Sequence, residues 1–173
     1  MIVEADGYSF NFTDAIYAFN FDDKNPSSPT FHDTRMKAVD VIAELPNAYV
    51  FVEIKEYPAS HDTEADWGDR ECDEINCAKR KKHSVWLKNY LKYKYRDSFL
   101  YRFAEKKVSK PIHYLCLLNF DNALNSQMQN SLAYEIPLYK LPAQWTTKIV
   151  DSCQVLNLSA WNRNFPKWPV QKL

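Results

Sequence analysis

Glycine is nearly absent from this chain: only Gly7 and Gly68 occur among its 173 residues. Phosphate-binding loops and dinucleotide-binding turns each need several closely spaced glycines, so neither motif is present. The same shortage excludes the Gly-x-Ser-x-Gly turn that carries the nucleophile of many serine hydrolases. Enzyme classes that depend on these three motifs are therefore excluded.

Long apolar runs are missing as well. No stretch reaches the roughly eighteen apolar residues that a membrane-spanning helix needs. The first residues, Met1 to Asp6, lack the charged-then-apolar order of a signal peptide. We therefore expect a cytoplasmic protein that makes no membrane contact.

Cysteine is sparse, with Cys72, Cys77, Cys116 and Cys153. In a reducing compartment these four side chains are expected to be free thiols. Cys116 lies in an apolar run, which predicts a buried core residue. Cys72 and Cys77 precede His83, and His61 lies nearby, so a zinc clip is an alternative. That clip would lack the second pair of ligands that a zinc site normally has, which favours free thiols.

The net charge is zero, but charge of each sign is concentrated in one part of the chain. Residues 1–75 hold 17 acidic and 5 basic side chains, whereas residues 76–110 hold 12 basic and 2 acidic ones. A basic block of this kind favours contact with phosphate groups. The alternative is a solvated helix face that the acidic half of the same chain neutralises.

A β-hairpin is predicted over residues 39–56, where two β-branched and aromatic runs flank Pro46 and Asn47. If the turn centres on these two residues, Asp40 lies directly opposite Glu53. Lys55 lies two residues further along, on the same face. The other face is then apolar and collects Val39, Val41, Ala43, Val50, Val52 and Ile54.

Two carboxylates that face each other across a hairpin repel by up to about 1 kcal/mol. A divalent cation held between Asp40 and Glu53 would convert that repulsion into coordination. The alternative is an ordinary amphipathic edge strand whose polar face is solvated. Because both carboxylates and Lys55 fall on one face together with aromatic residues, the metal site is the favoured interpretation.

These residues resemble a known family. The pattern Asp40-x12-Glu53-Ile54-Lys55 is similar to the D…(D/E)-x-K core of the PD-(D/E)XK nuclease superfamily, whose members have the restriction-endonuclease-like fold. Val39 stands where the named pattern has a proline. The resemblance implies an Mg²⁺-dependent endonuclease that hydrolyses phosphodiester bonds of nucleic acid, DNA more readily than RNA.

The resemblance also implies roles for individual residues. Asp40, Glu53 and the backbone carbonyl of Ile54 would bind one Mg²⁺, with Mn²⁺ able to substitute. Lys55 would orient the attacking water and lower its pKa. A further ligand from the N-terminal region is common in such enzymes. Glu4, Asp14 and Asp22 are the candidates, and the sequence does not choose among them.

Lys94 and Arg96 are predicted to bind nucleic acid, because Lys92-Tyr93-Lys94-Tyr95-Arg96 alternates cations with aromatic rings. The alternative is that the tyrosines belong to the core and the cations are solvated. A homodimer with two sites would be the simplest way to cut both strands of a duplex.

Two other classes of function compete with the nuclease. One is a non-catalytic nucleic-acid-binding or assembly module on the same fold. The other is an unrelated protein-interaction domain that would use the acidic residues 58–78 and the aromatic tail 161–169 as contact surfaces. Metal binding that depends on Asp40 distinguishes the nuclease from the interaction domain.

The predicted fold is α/β: one domain over residues 1–173, with three layers (α/β/α) around a central mixed sheet, restriction-endonuclease-like. A short helix is predicted to begin at Thr13, with Ile16, Phe19 and Phe21 facing inward. The other predicted elements are a helix over about 83–107 that stops at Lys110-Pro111, a buried strand over 112–120, a helix over 123–133, an extended segment over 136–141, a strand over 153–158 and an ordered coil over 161–169.

Overall fold

The computed structural model describes residues 1–28, 30–31, 36–56 and 74–173, and for residues 74–81 the backbone alone. These residues form a mixed α/β structure with two sheets and three helices. The strands are β1 (Ile2–Ala5), β2 (Tyr8–Asn11), β3 (Tyr17–Asn20), β4 (Val41–Glu44), β5 (Tyr49–Lys55), β6 (Ile112–Leu118), β7 (Ser152–Leu156) and β8 (Val170–Lys172). The helices are α1 (Glu74–Ala104), α2 (Asn122–Glu135) and α3 (Leu158–Asn164). No helix within the described ranges is both long and apolar enough to cross a membrane.

The central sheet is mixed, as predicted, with the strand order β3-β4-β5-β6-β7. Strands β3, β4 and β5 are antiparallel, whereas β5, β6 and β7 run parallel. The predicted hairpin register is confirmed: Val41 pairs with Val52, and Glu44 pairs with Tyr49. Continued by one residue, that register places Asp40 opposite Glu53.

The two faces of the central sheet have different covers. Helices α1 and α2 cover one face, where Ile42, Phe51 and Tyr114 pack against Leu91 and other helix residues. The opposite face packs against a small sheet, β1-β2-β8, and helix α3. This second cover contains strands as well as a helix, so it differs from the all-helical layer that was predicted.

The apolar hairpin face lies on that second side, with one exception. Val41, Ala43, Val50, Val52 and Ile54 are buried there, as predicted. The placement of Val39 on this face is wrong, because Val39 packs on the helix-covered side. Val39 precedes β4, so the strict alternation of a strand does not govern it.

The predicted N-terminal helix does not form. Residues 13–16 are turns, and the following residues form β3, which pairs with β4. Tyr17 and Phe19 alternate with smaller residues, and the edge of β4 offers them a pairing partner. Phe21 is buried and Phe19 partly buried, but Ile16 is exposed, contrary to prediction. Within the described residues 1–28, 30–31 and 36–38, no helix precedes the hairpin.

The first hairpin, β1–β2, has a clear sequence signal in Asp6-Gly7. Both residues have positive φ, 45° for Asp6 and 79° for Gly7. A two-residue turn that joins right-twisted strands requires this conformation, and Asp-Gly supplies it at low cost. The turn brings Ala5 opposite Tyr8.

Helix α1 starts earlier than predicted, since its residues 74–78 belong to the acidic segment 58–78, the connection between the hairpin and the predicted helix. The remainder of that connection, 58–73, lies outside the described residues. Lys107 N–H donates to the Arg102 carbonyl (2.8 Å), and Lys106 has a φ of 61°, which together close the C-terminus. The helix therefore ends before the predicted stop at Lys110-Pro111.

The apolar stripe of α1 is buried along only part of its length. It consists of Leu87, Leu91, Tyr95, Phe99 and Phe103. Residues four positions apart are offset by about 40° around a helix. Leu87, Leu91 and Tyr95 are buried, but the accumulated rotation leaves Phe103 59% exposed.

The remaining predicted elements are mostly present with shifted ends. Strand β6 and helix α2 form as predicted, and β7 lies within one residue of its predicted start. Residues 136–141 form turns and bends instead of an extended segment. Residues 161–164 of the segment predicted as coil (161–169) belong to α3, and β8 follows that segment. The Asn157 side chain caps α3 by accepting from the Ala160 N–H (2.9 Å).

Cys116 and Cys153 are free, buried thiols, which confirms the core position predicted for Cys116. Burial raises the pKa of both thiols. Of the alternative zinc ligands, His61 and Cys72 lie outside the described residues, and so does the side chain of Cys77. The zinc hypothesis therefore stays a prediction.

Candidate metal centre

Helix α1 fixes the segment that leads into β4. The Oγ of Ser98 accepts a hydrogen bond from the Val39 N–H (2.8 Å) and donates one to the Lys94 carbonyl (2.8 Å). One residue earlier on the helix, the Asp97 carboxylate accepts from the Lys37 N–H (2.9 Å). These bonds hold residues 37–39 against the helix, and the next residue of the segment is Asp40.

Asp40 and Glu53 are both buried on the helix-covered side of the hairpin. Oδ2 of Asp40 accepts a hydrogen bond from the Ile54 N–H (2.6 Å). Glu53 is 0% exposed, and neither of its carboxylate oxygens has a hydrogen-bond partner among the described groups. A buried carboxylate without donors is costly unless a cation or a proton neutralises it.

Among the described residues, the cation that contacts both carboxylates is the ammonium group of Lys94, on α1. Its Nζ lies 3.4 Å from Oε1 of Glu53 and 3.5 Å from Oδ1 of Asp40. It also lies 3.2 Å from Oδ2 of Asp22, at the rim of the site. The sequence pattern did not predict this buried contact, because it indicated that Lys94 is a surface cation.

Asp22 is the one of three candidate N-terminal acids that the structure brings to the site. The Phe21 N–H donates to the Asp40 carbonyl (2.7 Å), which extends the pairing of β3 with β4 and carries Asp22 to the rim. Asp14 instead accepts from the indole N–H of Trp168 (2.6 Å). Glu4 lies in β1, in the other sheet.

The titration behaviour of the site follows from its burial. Burial raises the pKa of Asp40 to about 6, against the opposing effect of the Lys94 charge. Burial, and next the Asp40 charge, raise the pKa of Glu53 well above its ordinary value. For Lys94, burial acts to lower the pKa, but the charges of Glu53 and Asp40 outweigh it and leave the pKa raised.

Tyr90 lies at the centre of the lysines around the site. Its ring centroid is 5.5 Å from Nζ of Lys55, 5.5 Å from Nζ of Lys94 and 5.1 Å from Nζ of Lys37. Burial, and next the Glu53 charge, raise the pKa of its hydroxyl. Tyr90 therefore stays protonated at neutral pH and can act as a hydrogen-bond donor beside Glu53.

The donor chemistry of the site suits a hard divalent cation. Asp40 and Glu53 carry two negative charges when both are ionised, and Lys94 supplies only one positive charge in contact with them. Protons or an added cation must supply the rest, and carboxylate oxygens are the ligands that Mg²⁺ prefers. No three His, Cys, Asp or Glu side chains form a closed cage within the described ranges, so other ligands would have to come from backbone, water or substrate.

The structure thus brings together Asp40, Glu53 and Ile54, and it places Lys55 half-buried at the edge of the same site. Arg96 is separate: it is exposed on α1, with its guanidinium 5.8 Å from the Tyr93 ring centroid. The sequence analysis missed Tyr90. A usable signal was its spacing of one helical turn from Lys94, which puts both on one helix face.

Comparisons of the chain with protein-family models, with curated proteins and with solved structures find no match. Its function must therefore be inferred from the residues of the site.

Proposed function

We propose that this chain is a metal-dependent nuclease that hydrolyses phosphodiester bonds of nucleic acid, DNA more readily than RNA. The observation that carries this proposal is the buried Asp40–Glu53 pair, which a single contacting ammonium group balances among the described residues. A restriction-endonuclease-like fold is part of the proposal. The confirmed hairpin register supports that fold, because it places both carboxylates and Lys55 on one face.

Each residue of the site has its own role in the proposed reaction. Asp40 and Glu53 would hold Mg²⁺ or Mn²⁺, and the Ile54 carbonyl is the proposed third ligand. Bound there, the cation would supply positive charge beside the scissile phosphate. Lys55 holds its ammonium at the edge of the site, where it offsets the charge that develops on the phosphate oxygens. A water molecule loses a proton as its oxygen attacks phosphorus, the bond to the leaving oxygen breaks, and that oxygen takes up a proton. A phosphate monoester and a hydroxyl result.

Lys94 has a different task from Lys55. It is buried between three acids, so it neutralises part of their charge before any cation or substrate arrives. Tyr90 lies between the two lysines and, as a protonated phenol, offers an O–H toward Glu53. Lys94 and Tyr90 are accordingly positioning residues that act through the carboxylates.

A non-catalytic module on the same fold is the second candidate. The contact of Lys94 with both buried carboxylates favours it, because such a cluster also stabilises a scaffold without any metal. In that case the nucleic acid would bind without being cleaved. Metal binding separates the two candidates, since only the nuclease needs it.

The test is a cleavage assay on the purified protein. Single- and double-stranded DNA and RNA are incubated with Mg²⁺, Mn²⁺ or EDTA, beside Lys55→Ala and Glu53→Gln. Lys167→Ala is the matched control, because Lys167 is an exposed lysine in the turn after α3, outside the elements that form the site. We expect metal-dependent cleavage that both site variants lose and the control keeps. Cleavage that survives in Lys55→Ala, or no cleavage and no metal binding, contradicts the proposal.

We further propose a cytoplasmic location. The buried free thiols of Cys116 and Cys153 support it, because reducing compartments keep thiols in this state. A homodimer with two sites remains a prediction, which sedimentation of the purified protein tests directly.

A further inference from the structure

Beside the metal centre, helix α1 carries a row of aromatic rings formed by Trp86, Tyr90 and Tyr93. Their spacings of four and three residues place them on one face of the helix. Trp86 is 51% exposed and Tyr93 is 43% exposed. The ring of Trp86 stacks on that of Tyr90, with centroids 5.2 Å apart and planes 21° apart. Trp86 and Tyr93 are therefore surface rings, whereas Tyr90 between them is half-buried and packs against the core.

Cations surround the Tyr93 end of the row. Nζ of Lys37 lies 5.9 Å from the Tyr93 centroid, Nζ of Lys92 lies 5.3 Å from it, and the guanidinium of Arg96 lies 5.8 Å from it. Lys92 is also paired with Glu135 (2.9 Å). Lys37 and Arg96 are exposed, so they are the cations of this group best placed to bind an anionic ligand.

We propose that the Trp86–Tyr93 platform, meaning Trp86, Tyr90 and Tyr93 with Lys37 and Arg96, binds single-stranded nucleic acid and delivers it to the metal centre. This inference rests on the proposed nuclease function and names its substrate class. Exposed rings flanked by cations match the two parts of a single strand, since bases stack on aromatic rings and phosphates pair with cations. In a duplex the base faces are already stacked, so the rings would have nothing to bind.

The length of the platform suits a few nucleotides. Trp86 and Tyr93 are seven residues apart, which is about 10 Å along a helix. Successive phosphates of one strand in B-form stacking rise by about 3.4 Å, so the platform spans about three nucleotides.

Tyr90 lies between the platform and the lysines of the metal centre. Its ring stacks on Trp86, and the same ring lies 5.5 Å from the ammonium groups of Lys55 and Lys94. A strand that stacks along the platform therefore passes beside Lys55, where the scissile phosphate is required. The strand's bases stay on the helix side of the site.

The experiment measures binding without cleavage. Fluorescently labelled 12-nucleotide DNA and RNA single strands, and the DNA duplex of the same sequence, are titrated with protein in EDTA, and anisotropy is recorded. We expect both single strands to bind at least about 10-fold more tightly than the duplex. Trp86→Ala and Tyr93→Ala should each weaken single-strand binding about 5- to 100-fold, in line with the loss of one stacked base. Trp86→Phe should restore most of the affinity.

Matched controls exist elsewhere on the surface. Trp145 and Tyr134 are exposed rings that belong to neither α1 nor the platform, so Trp145→Ala and Tyr134→Ala should leave binding unchanged. Lys37→Gln should reduce the slope of log K against log salt by about 0.7, which is the loss of one phosphate contact on a single strand. The melting temperature of each variant shows that it is folded.

The outcomes separate the platform from the nuclease. Duplex binding as tight as single-strand binding, or unchanged affinity in folded Trp86→Ala, overturns the platform whether or not the protein cleaves. Single-strand binding that depends on Trp86, without cleavage in Mg²⁺ or Mn²⁺, supports the platform and overturns the nuclease. The DNA and RNA arms show which single strand is preferred.

Discussion

The ammonium group of Lys94 lies 3.4 Å from the carboxylate of Glu53, and both residues are buried. No hydrogen bond of normal geometry reaches Glu53 from the described groups, and Tyr90 offers it only a neutral O–H, so the Lys94 charge is its main compensation in the metal-free protein. Removing one member of a buried ion pair leaves the charge of the other uncompensated. The resulting loss of stability is larger than the stability that the intact pair adds over apolar residues of similar size.

Lys94→Met should destabilise the metal-free protein by about 3–5 kcal/mol at neutral pH, because it leaves the Asp40 and Glu53 charges buried without a counter-ion. The free energy of unfolding from urea denaturation measures this loss. Lys92→Met is the matched control, since Lys92 pairs with the more exposed Glu135 and should cost at most about 1 kcal/mol. Equal losses in the two variants would contradict the role given to Lys94.

Asp40 should make the metal-free protein less stable as the pH rises. Its pKa is about 6 in the folded state against an ordinary value of 3.8, so the folded state binds the extra proton between these values. Stability therefore falls across that window, by about 1 kcal/mol between about pH 5 and about pH 7. Asp40→Asn should remove this contribution and leave the slope that Glu53 adds, because the pKa of Glu53 is raised as well. An unchanged slope in the variant would refute the assignment.

The acids with lowered pKa values do not interfere with this measurement. Hydrogen bonds from Lys88 and Lys92 lower the pKa of Glu135, and those from Lys172 and Tyr8 lower the pKa of Glu56. Their contribution to stability is lost only as the pH falls below about 4.5, the ordinary range of a glutamate. Above that pH the buried pair dominates the slope.

A divalent cation should stabilise the protein through Glu53. With Mg²⁺ or Mn²⁺ in large excess over its dissociation constant, about 100-fold, binding to the native state adds about 2.7 kcal/mol. Thermal melting with and without EDTA measures the shift, and Glu53→Gln should abolish it. Glu44→Gln is the control, because Glu44 pairs with Lys110 (2.6 Å) at the far end of β4. A shift that persists in Glu53→Gln would place the cation elsewhere.

Ser98→Ala should cost about 1–3 kcal/mol, because it leaves the buried Val39 N–H without an acceptor. It should also weaken metal binding, since the segment that carries Asp40 loses its bond to α1. Ser126→Ala is the control for the Ser98 substitution. The Ser126 hydroxyl also donates to the carbonyl one helical turn earlier (2.8 Å), but Ser126 is exposed. Titration calorimetry of both variants with Mn²⁺ gives the affinities, and a parallel loss in both would contradict the expectation.

The two leucines Leu91 and Leu100 of α1 should contribute unequally to stability, because the apolar stripe of the helix rotates away from the core along its length. Leu91→Ala should destabilise the protein by about 2–5 kcal/mol, because Leu91 is fully buried under the central sheet. Leu100→Ala removes the same atoms from an exposed position of the same helix and should change stability by less than about 0.5 kcal/mol. Urea denaturation of the two variants gives the comparison. Similar values would mean that the helix packs through a different face.

The sequence predicted the hairpin register because the strand period is two and the Pro46-Asn47 turn fixes which residues pair. That register alone brings Asp40, Glu53 and Lys55 to one face. Nothing in it shows which element covers the face, so the burial of Lys94 between the carboxylates could not be predicted. Lys94 comes from 41 residues further along the chain than Glu53, and such contacts depend on tertiary packing.

In the N-terminal region, the local sequence pattern predicted the wrong secondary structure. Thr13 and Asp14 look like the start of a helix, but Tyr17 and Phe19 gain more by pairing with the edge of β4. Asp6-Gly7 was a usable hairpin signal that went unused. The strand β8 could not be foreseen, because three residues after Pro169 carry little local signal and find their partner in β2.

The pairing of β2 with β8 has a consequence for biosynthesis. Phe10 is opposite Val170, so two segments 160 residues apart must meet before the small sheet is complete. Until β8 has been synthesised and has paired with β2, Val41, Val50 and Val52 lack part of their cover. Sequence-distant pairing of this kind closes slowly, and the uncovered valines are then a target for chaperones and a risk of aggregation.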